Sequence, residues 1–252
     1  MSLVPSTTET VFGLGCGERL VGITRFCVHP FNEIQGIERV GGTKDVDIEQ
    51  VLALEPDLVL GNCEENTREM IAALEEHVPV YAAFPRTVDD AMEDVATVGG
   101  LLGADEAAER WRMEAEAARE ALRQEAQEHP WFRFAYLIWR QPWMTVNNDT
   151  FIASLLSEAG GQNAFGGERE RFGEVTGDVL GRAEVNWVFL SSEPFPFRDK
   201  HARELAGESG IPLGQFRYVN GEYCSWHGVR LAESFRYLAR CLREGWPTRP
   251  QG

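Results

Sequence analysis

Cys27 and His29 stand two residues apart in the run Phe26-Cys-Val-His-Pro30, and Glu222 and His227 lie together far along the chain. Thiolate plus imidazole is a donor mix suited to zinc or a similar ion. Cys27, His29 and His227 are therefore the candidate metal set. A pair at i and i+2 also arises by chance, and His29 serves equally as a hydrogen-bonding group or as an axial contact to the metal of a bound molecule. Arg25, Arg140 and Arg230 are the candidate grips for carboxylate, phosphate or amide groups. The competing reading is internal salt bridges to Glu174 or Glu222. Trp139, Trp143, Phe195, Tyr223 and Trp226 concentrate aromatic area in polar stretches, at about 150–250 Å² per ring. Of these, Trp139, like Trp187, reads as core at a strand end, whereas Trp143 and Trp226 read as cleft residues. His77, His129 and His201 read as surface groups.

Enzyme motifs are missing. No G-x-S-x-G elbow, P-loop or G-x-G-x-x-G after a strand occurs. Ser6, His29 and Asp45 contain the residue types of a triad, but their spacing favours nothing over chance. No catalytic residue is assigned, and capture without covalent chemistry is the expectation.

These side chains need elements to hold them. Two halves share one order: strand, loop, helix, buried strand. Leu3-Val4 ends at Pro5-Ser-Thr-Thr-Glu9, with Ser6 expected as a helix N-cap and Glu9 three positions on. A short strand is expected over 20–23, a helix over 47–54, a buried strand at Leu58-Val-Leu60, a helix over 66–76 and a strand over 78–81. In the second half, Phe134-Ala-Tyr-Leu-Ile-Trp139 and Val185-Asn-Trp-Val-Phe-Leu190 are the buried strands. Gly207–Gly210 reads as a turn, 222–230 as a loop and 231–242 as a closing helix. Between the halves, 88–127 has three- and four-residue apolar spacing and a helix-forming Glu/Ala/Arg run. Gly99, Gly100 and Gly103 either bend this helix or split it. The expected fold is α/β: two Rossmann-like lobes with mainly parallel sheets, 1–86 and 130–252, bridged by one long backbone helix within 87–129. A cleft between lobes is a common place to hold a ligand.

The 252 residues carry a net charge of −16, which argues against nucleic acid and anionic membrane surfaces as partners. No run approaches the ~18 apolar residues of a membrane span. Five scattered cysteines form no CxxC pair and suit a reducing compartment. No signal peptide is visible after Met1, so a cytoplasmic location is expected for the chain as it stands, and a periplasmic or extracytoplasmic one if the start lies upstream.

Pro5-Ser-Thr-Thr-Glu9, Val40-Gly-Gly-Thr43, Leu52-Ala-Leu-Glu-Pro-Asp-Leu-Val59 and Gly160-Gly-Gln-Asn163 together resemble the helical-backbone metal-receptor superfamily, the class III periplasmic-binding-protein fold. That group includes the cobalamin-binding proteins of ABC importers and their relatives for siderophores and haem. Trp139-Arg-Gln-Pro-Trp-Met-Thr145 and Gly221-Glu-Tyr-Cys-Ser-Trp226 are most similar to its short leaderless members. The resemblance implies a monomeric substrate-binding protein that holds a corrinoid or other metal chelate in an interlobe cleft for ABC-type uptake and requires no cofactor of its own. The alternatives are an intracellular corrinoid or metal sensor or chaperone without a permease, and a metal-dependent enzyme using the same cleft. Cleft loops after the strands would offer Pro5, Ser6, Thr7, Arg25, Phe26, His29, Thr43, Lys44 and Asn62 from the first lobe. From the second they would offer Arg140, Trp143, Phe195, Glu222, Tyr223, Trp226 and Arg230. Thr43 and Asn62 stand where the cobalamin importer's protein carries tryptophans, which leaves room for a smaller or more polar ligand. An ABC permease would dock on acidic residues, for which Glu65, Glu69, Glu193 and Asp199 are the counterparts.

Overall fold

The computed structural model describes residues 1–250, which form two compact units. The first comprises Met1–Pro85, Asp89–Glu114 and His227–Arg230, and the second comprises Arg86–Val88, Ala115–Trp226 and Leu231 onward.

In the first unit, β1 (Gly22–Ile23), β2 (Glu38–Arg39), β3 (Val59–Asn62) and β4 (Val80–Ala83) are joined by the segment Met1–Leu3. Ser2 pairs in parallel with both Ile23 and Leu60. The spatial order is therefore β2, β1, Met1–Leu3, β3, β4, with parallel pairing throughout. Met1, Leu3, Val40, Val51, Val59 and Leu74 fill the core. The helices are α1 (Pro5–Gly13), α2 (Ile48–Ala53) and α3 (Arg68–Glu75). Ser6 is not the N-cap of α1. Val4 holds that position in extended geometry and Pro5 takes the first helical turn, where its missing N–H costs nothing. Asp47 and Thr67 cap α2 and α3 through their side chains. β2 is an element the sequence reading did not anticipate, because two half-exposed residues carry no hydrophobic pattern.

The linking stretch 88–127 is two helices, α4 (Val88–Leu101) and α5 (Asp105–Gln127). The break falls at Gly103, which adopts a left-handed φ of 62°. On α5 the buried residues Ala108, Trp111, Ala115, Ala118 and Leu122 recur at three- and four-residue steps. Gly99 permits close approach of the two helices, since a β-carbon there would lie 2.5 Å from that of Ala108.

The second unit is built on a six-stranded sheet. β5 (Phe132–Trp139) is central, β9 (Trp187–Ser191) and β10 (Phe216–Val219) lie parallel to it on one side, and β6 (Met144–Val146), β7 (Gly161–Asn163) and β8 (Phe172–Glu174) lie on the other. β7 is parallel to β5, whereas β6 and β8 add an antiparallel edge. Ala135 and Leu137 face a core shared with α7 (Gly177–Gly181) and α8 (Asp199–Ser209). Phe134 and Tyr136 alternate to the opposite face. α6 (Phe151–Glu158), α9 (Gly221–Ser225) and α10 (Leu231–Glu244) complete the unit. Two expectations are corrected here. Gly207 lies inside α8, and the αL C-cap Gly210 ends that helix. Residues 221–225 are helical, because the Asn220 side chain accepts from the Tyr223 N–H and caps them. Arg119 and Arg123 of α5 converge on Glu158 of α6, at 2.6 and 2.5 Å.

Candidate functional site

In parallel α/β sheets, ligands meet the loops at the carboxyl ends of the strands, above all where the strand order reverses. In the first unit that reversal falls between Met1–Leu3 and β3. Its flanking residues Ser6, Thr7 and Asn62 are 8%, 4% and 2% exposed, too little for ligand contact. The covering group is the chain's own His227–Arg230. The Asn62 side-chain amide oxygen accepts from the Glu64 and Glu65 N–H groups, so its Nδ2 donates to His227 Nε2 at 3.1 Å. His227 Nδ1 faces Asp94, 3.6 Å away. Asp94 also accepts from the Tyr81 hydroxyl at 2.8 Å. Burial and the Asp94 carboxylate raise the Tyr81 pKa well above its ordinary value. Gly228, with φ at 93°, passes over α1 so closely that a β-carbon would meet Thr10 Oγ1 at 2.3 Å. The Val229 N–H donates to Thr10, the Trp111 indole donates to the Val229 carbonyl at 2.9 Å, and Arg230 forks onto Glu9 at 2.7 and 2.8 Å.

Several expectations end here. Asn62, His227 and Arg230 hold the first unit together, Ser6 and Thr7 are buried and do not line an open surface, and half-buried Pro5 belongs to the same first turn of α1. The Cys27, His29, His227 metal set also fails. Cys27 is 1% exposed, with its sulfur 3.0 Å from Thr8 Oγ1 and 3.2 Å from Thr24 Oγ1, while His227 is committed to Asn62 and Asp94. Among the described residues no group of three His, Cys, Asp or Glu is arranged to hold an ion. Burial followed by the nearby Glu64 pushes the Cys63 thiol up, and burial pushes Cys241 up to about 11. Neither is a ready thiolate.

The open carboxyl-end loops of the first unit are those after β1, β2 and β4. Arg39 clamps the first, donating to the carbonyls of Thr24 and Cys27 at 2.8 Å each. This turn projects Phe26, Val28 and Phe31, which are 49%, 44% and 70% exposed, with His29 half-buried among them. Arg25 stacks on Phe26 at 5.0 Å and bridges to Asp45 at 2.9 Å. The Arg25–Asp45 pair crosses Gly42, whose missing β-carbon would lie 2.3 Å from Asp45 Oδ1. Thr43 is buried and its carbonyl accepts from Asn66 Nδ2 at 2.8 Å, whereas Lys44 is exposed. Phe84, just beyond β4, is 45% exposed. Phe31 and Phe84 were missed in the sequence, and a lone aromatic beyond a strand end is the only signal that could have found them.

In the second unit the two tryptophans exchange their expected places. Trp143 is buried. Its indole donates to Glu208 at 2.8 Å and its ring stacks on Phe197. Trp139 is 42% exposed and packs edge-on to Phe195 at 5.6 Å. The reason is the chain reversal at 140–142, where Gln141 has φ at 70° and sends Trp143 back onto α8. Arg140 forks onto Glu204, whose carboxyl its hydrogen bond holds below the usual range. His201 is buried, not a surface group. Its Nδ1 accepts from the Arg198 N–H at 3.0 Å, and burial, then Lys200 and Arg140, lower its pKa. Tyr223 stacks on Tyr237 at 5.0 Å, and Glu222 and Trp226 are half-buried on and after α9. Arg25, Arg140 and Arg230 bridge to Asp45, Glu204 and Glu9, respectively.

Taken unit by unit, these loops present flat aromatic rings and arginines bridged to carboxylates. The sequence pattern of the periplasmic binding proteins matches residues 1–207. The chain belongs to the periplasmic binding protein family. That family is one of binding proteins. The vitamin B12-binding protein of Yersinia pestis (strain Pestoides F) is 26% identical over 183 residues, 70% of this chain and 63% of that protein. The chain thus spans just under two thirds of the curated relatives it matches. Among solved structures, the periplasmic vitamin B12-binding protein BtuF of Vibrio cholerae superposes with a TM-score of 0.78 at 20% identity, covering 97% of this chain and 96% of that one. The apo periplasmic heme-binding protein RhuT of Roseiflexus sp. RS-1 gives 0.83 at 22% identity, with 97% of each chain covered. Identities this low establish the shared fold.

Proposed function

We propose that this protein is a substrate-binding protein for a planar metal chelate, a corrinoid first, delivered to an ABC importer. The observation that carries the reading is Trp139, 42% exposed at the carboxyl end of β5, with half-buried Phe195 of the loop after β9 packed against it. Large flat rings left in solvent are costly unless a ligand covers them, and a tetrapyrrole-like macrocycle offers the matching apolar face. The vitamin B12-binding name of the Yersinia pestis relative supports the same ligand class. The first unit, taken by itself, carries exposed Phe26, Phe31 and Phe84 on its carboxyl-end loops, with Lys44 beside Arg25 and Asp45. Exposed Glu65 and Glu69 are the proposed permease-docking acids of the first unit. In the second unit Asp199, which accepts from Tyr218, and Glu193, which accepts from Ser225, take that role.

Heme is the second reading. His29 stands in the aromatic loop between Phe26 and Phe31, an arrangement suited to axial ligation of iron, and the Roseiflexus neighbour is named for heme.

Calorimetric titration with cyanocobalamin, cobinamide and hemin separates these readings. Trp139→Ala removes about 100 Å² of exposed ring, taking 42% of a ~250 Å² side chain. At about 25 cal/mol per Å² the loss is up to ~2.5 kcal/mol, or roughly 70-fold in affinity. Corrinoid binding weakened by Trp139→Ala supports the first reading. Hemin binding with a Soret band altered by His29→Ala supports the second. Saturable binding of none of the three sinks both.

A further inference from the structure

The amino ends of β5, β9 and β10, at the edge of the second unit's sheet opposite the Trp139 and Phe195 loops, border an open cleft of about 490 Å³. That volume lies within the usual range of small-molecule sites, about 300–1,000 Å³. Its walls are Trp131, Phe132, Trp187 and Trp246, and Arg217 and Glu244 stand at it. Two of these residues are out of keeping with simple core packing. Trp131 is 68% exposed although it directly precedes a central strand. Arg217 lies over the Trp187 indole, its guanidinium carbon 4.0 Å from the ring centre, and burial lowers its pKa. Among the described residues no carboxylate comes within ion-pair distance of Arg217, and Glu244 is no exception. Its Nη1 hydrogens go to the carbonyls of Gly214 and Phe216, at 2.6 and 2.8 Å. The Nε and Nη2 hydrogens remain, and they form the planar fork that matches a carboxylate in two-point contact.

A cation held by backbone over an indole, beside a cleft walled by aromatic rings, is a receptor for a flat anion. We propose that this cleft is a binding site for a one- or two-ring aromatic carboxylate, with the carboxylate on the Arg217 fork and the ring between the Trp131 and Trp246 indoles. It is separate from the metal-chelate surface. β5 alone spans seven residue steps between Phe132 and Trp139, about 23 Å at ~3.3 Å per step. Occupancy of one site therefore leaves the other free.

The test uses the whole chain and 2-naphthoate as probe, with 2-naphthalenemethanol as its uncharged counterpart. Binding is followed by the indole N–H resonances in nitrogen-edited NMR. The expected result is a saturable shift of the Trp131, Trp187 and Trp246 signals with 2-naphthoate, while Trp139 stays still. Arg217→Gln is expected to weaken binding about tenfold or more, the usual effect of losing a charge-assisted hydrogen bond. Arg217→Lys keeps the charge without the fork and is expected to lose most of the same affinity. Trp131→Ala changes a largely exposed side chain, so it keeps the fold while weakening the probe. No saturable shift at millimolar probe, equal binding of the alcohol, or full affinity in a folded Trp131→Ala variant would each overturn the proposal. Because the metal chelates are absent from these titrations, failure here leaves the importer reading standing, and failure of that reading leaves this one.

Discussion

Replacing Glu158 with Gln is the most informative test of how α5 is fixed within the second unit. The Glu158 side chain is 9% exposed and receives Arg119, itself 16% exposed, and Arg123, which is 48% exposed. Removing one partner of a buried pair costs about 3–5 kcal/mol, because it strands the other charge. The Arg123 bond lies at the surface and contributes about 0–1 kcal/mol. Since Arg119 retains some access to water, the lower end of the range applies, about 3 kcal/mol. For a chain of this size that corresponds to roughly 6–12 °C in Tm. The pH dependence carries a sign. Burial alone would raise the Glu158 pKa, but the hydrogen bonds from Arg119 and Arg123 outweigh it and hold the group below its ordinary 4.5. A carboxyl depressed in the folded state adds stability that is fully present above the unfolded pKa and is lost as pH falls through the folded value. Urea unfolding followed by circular dichroism should therefore show a wide gap between wild type and Glu158→Gln at pH 7, closing below about pH 4.5. A Tm within 1 °C of wild type at pH 7, or a gap that stays constant into acid, would refute the reasoning. Arg123→Ala is the control, at under ~1 kcal/mol.

Three other substitutions test local geometry. Gly41, with φ at 107° and a backbone oxygen 2.5 Å from the β-carbon position, should cost about 1–3 kcal/mol as Ala in chemical denaturation, whereas Gly42→Ala meets only exposed side-chain ends and should cost under ~1 kcal/mol. Gly228→Ala should loosen the segment 227–230, read as faster amide exchange at Val229 with a stability loss of about 1–3 kcal/mol. In an NMR pH titration His201 should change charge below its ordinary 6.5. Its contribution to stability is complete above that pH and declines as pH falls through the lowered value, so a His201 that titrates at or above 6.5 would contradict its burial.

Alternation and turn residues made the sheets visible in the sequence. Leu58-Val-Leu60 and Phe134–Trp139 read as buried strands because β-branched and aromatic residues sit between breakers, and both are strands. What stayed hidden depends on contacts far apart in sequence. Nothing near Trp143 announces that Gln141 reverses the chain and delivers its indole to Glu208, 65 residues on. Nothing near Asn62 announces a partner 165 residues away at His227. The resemblance directed attention to loops after strands. It did not distinguish a side chain that faces solvent from one that the chain has already covered, and Ser6, Thr7 and Trp143 were misread for that reason. Gly41 and Gly228, at φ of 107° and 93°, each mark a close approach that a β-carbon would block, and neither was read as such in the sequence.

The assignment of His227–Arg230 to the first unit bears on how the polypeptide is made. The ribosome completes residues 1–114 more than a hundred codons before it reaches the segment that supplies Asn62, Asp94, Thr10 and Glu9 with their partners. Domains commonly fold as they emerge. Here the first unit's sheet leaves the exit tunnel before the segment that covers its buried amide, carboxylate and hydroxyl has been made. A gene cut after codon 226 would encode all of the first unit's sheet and none of its clasp.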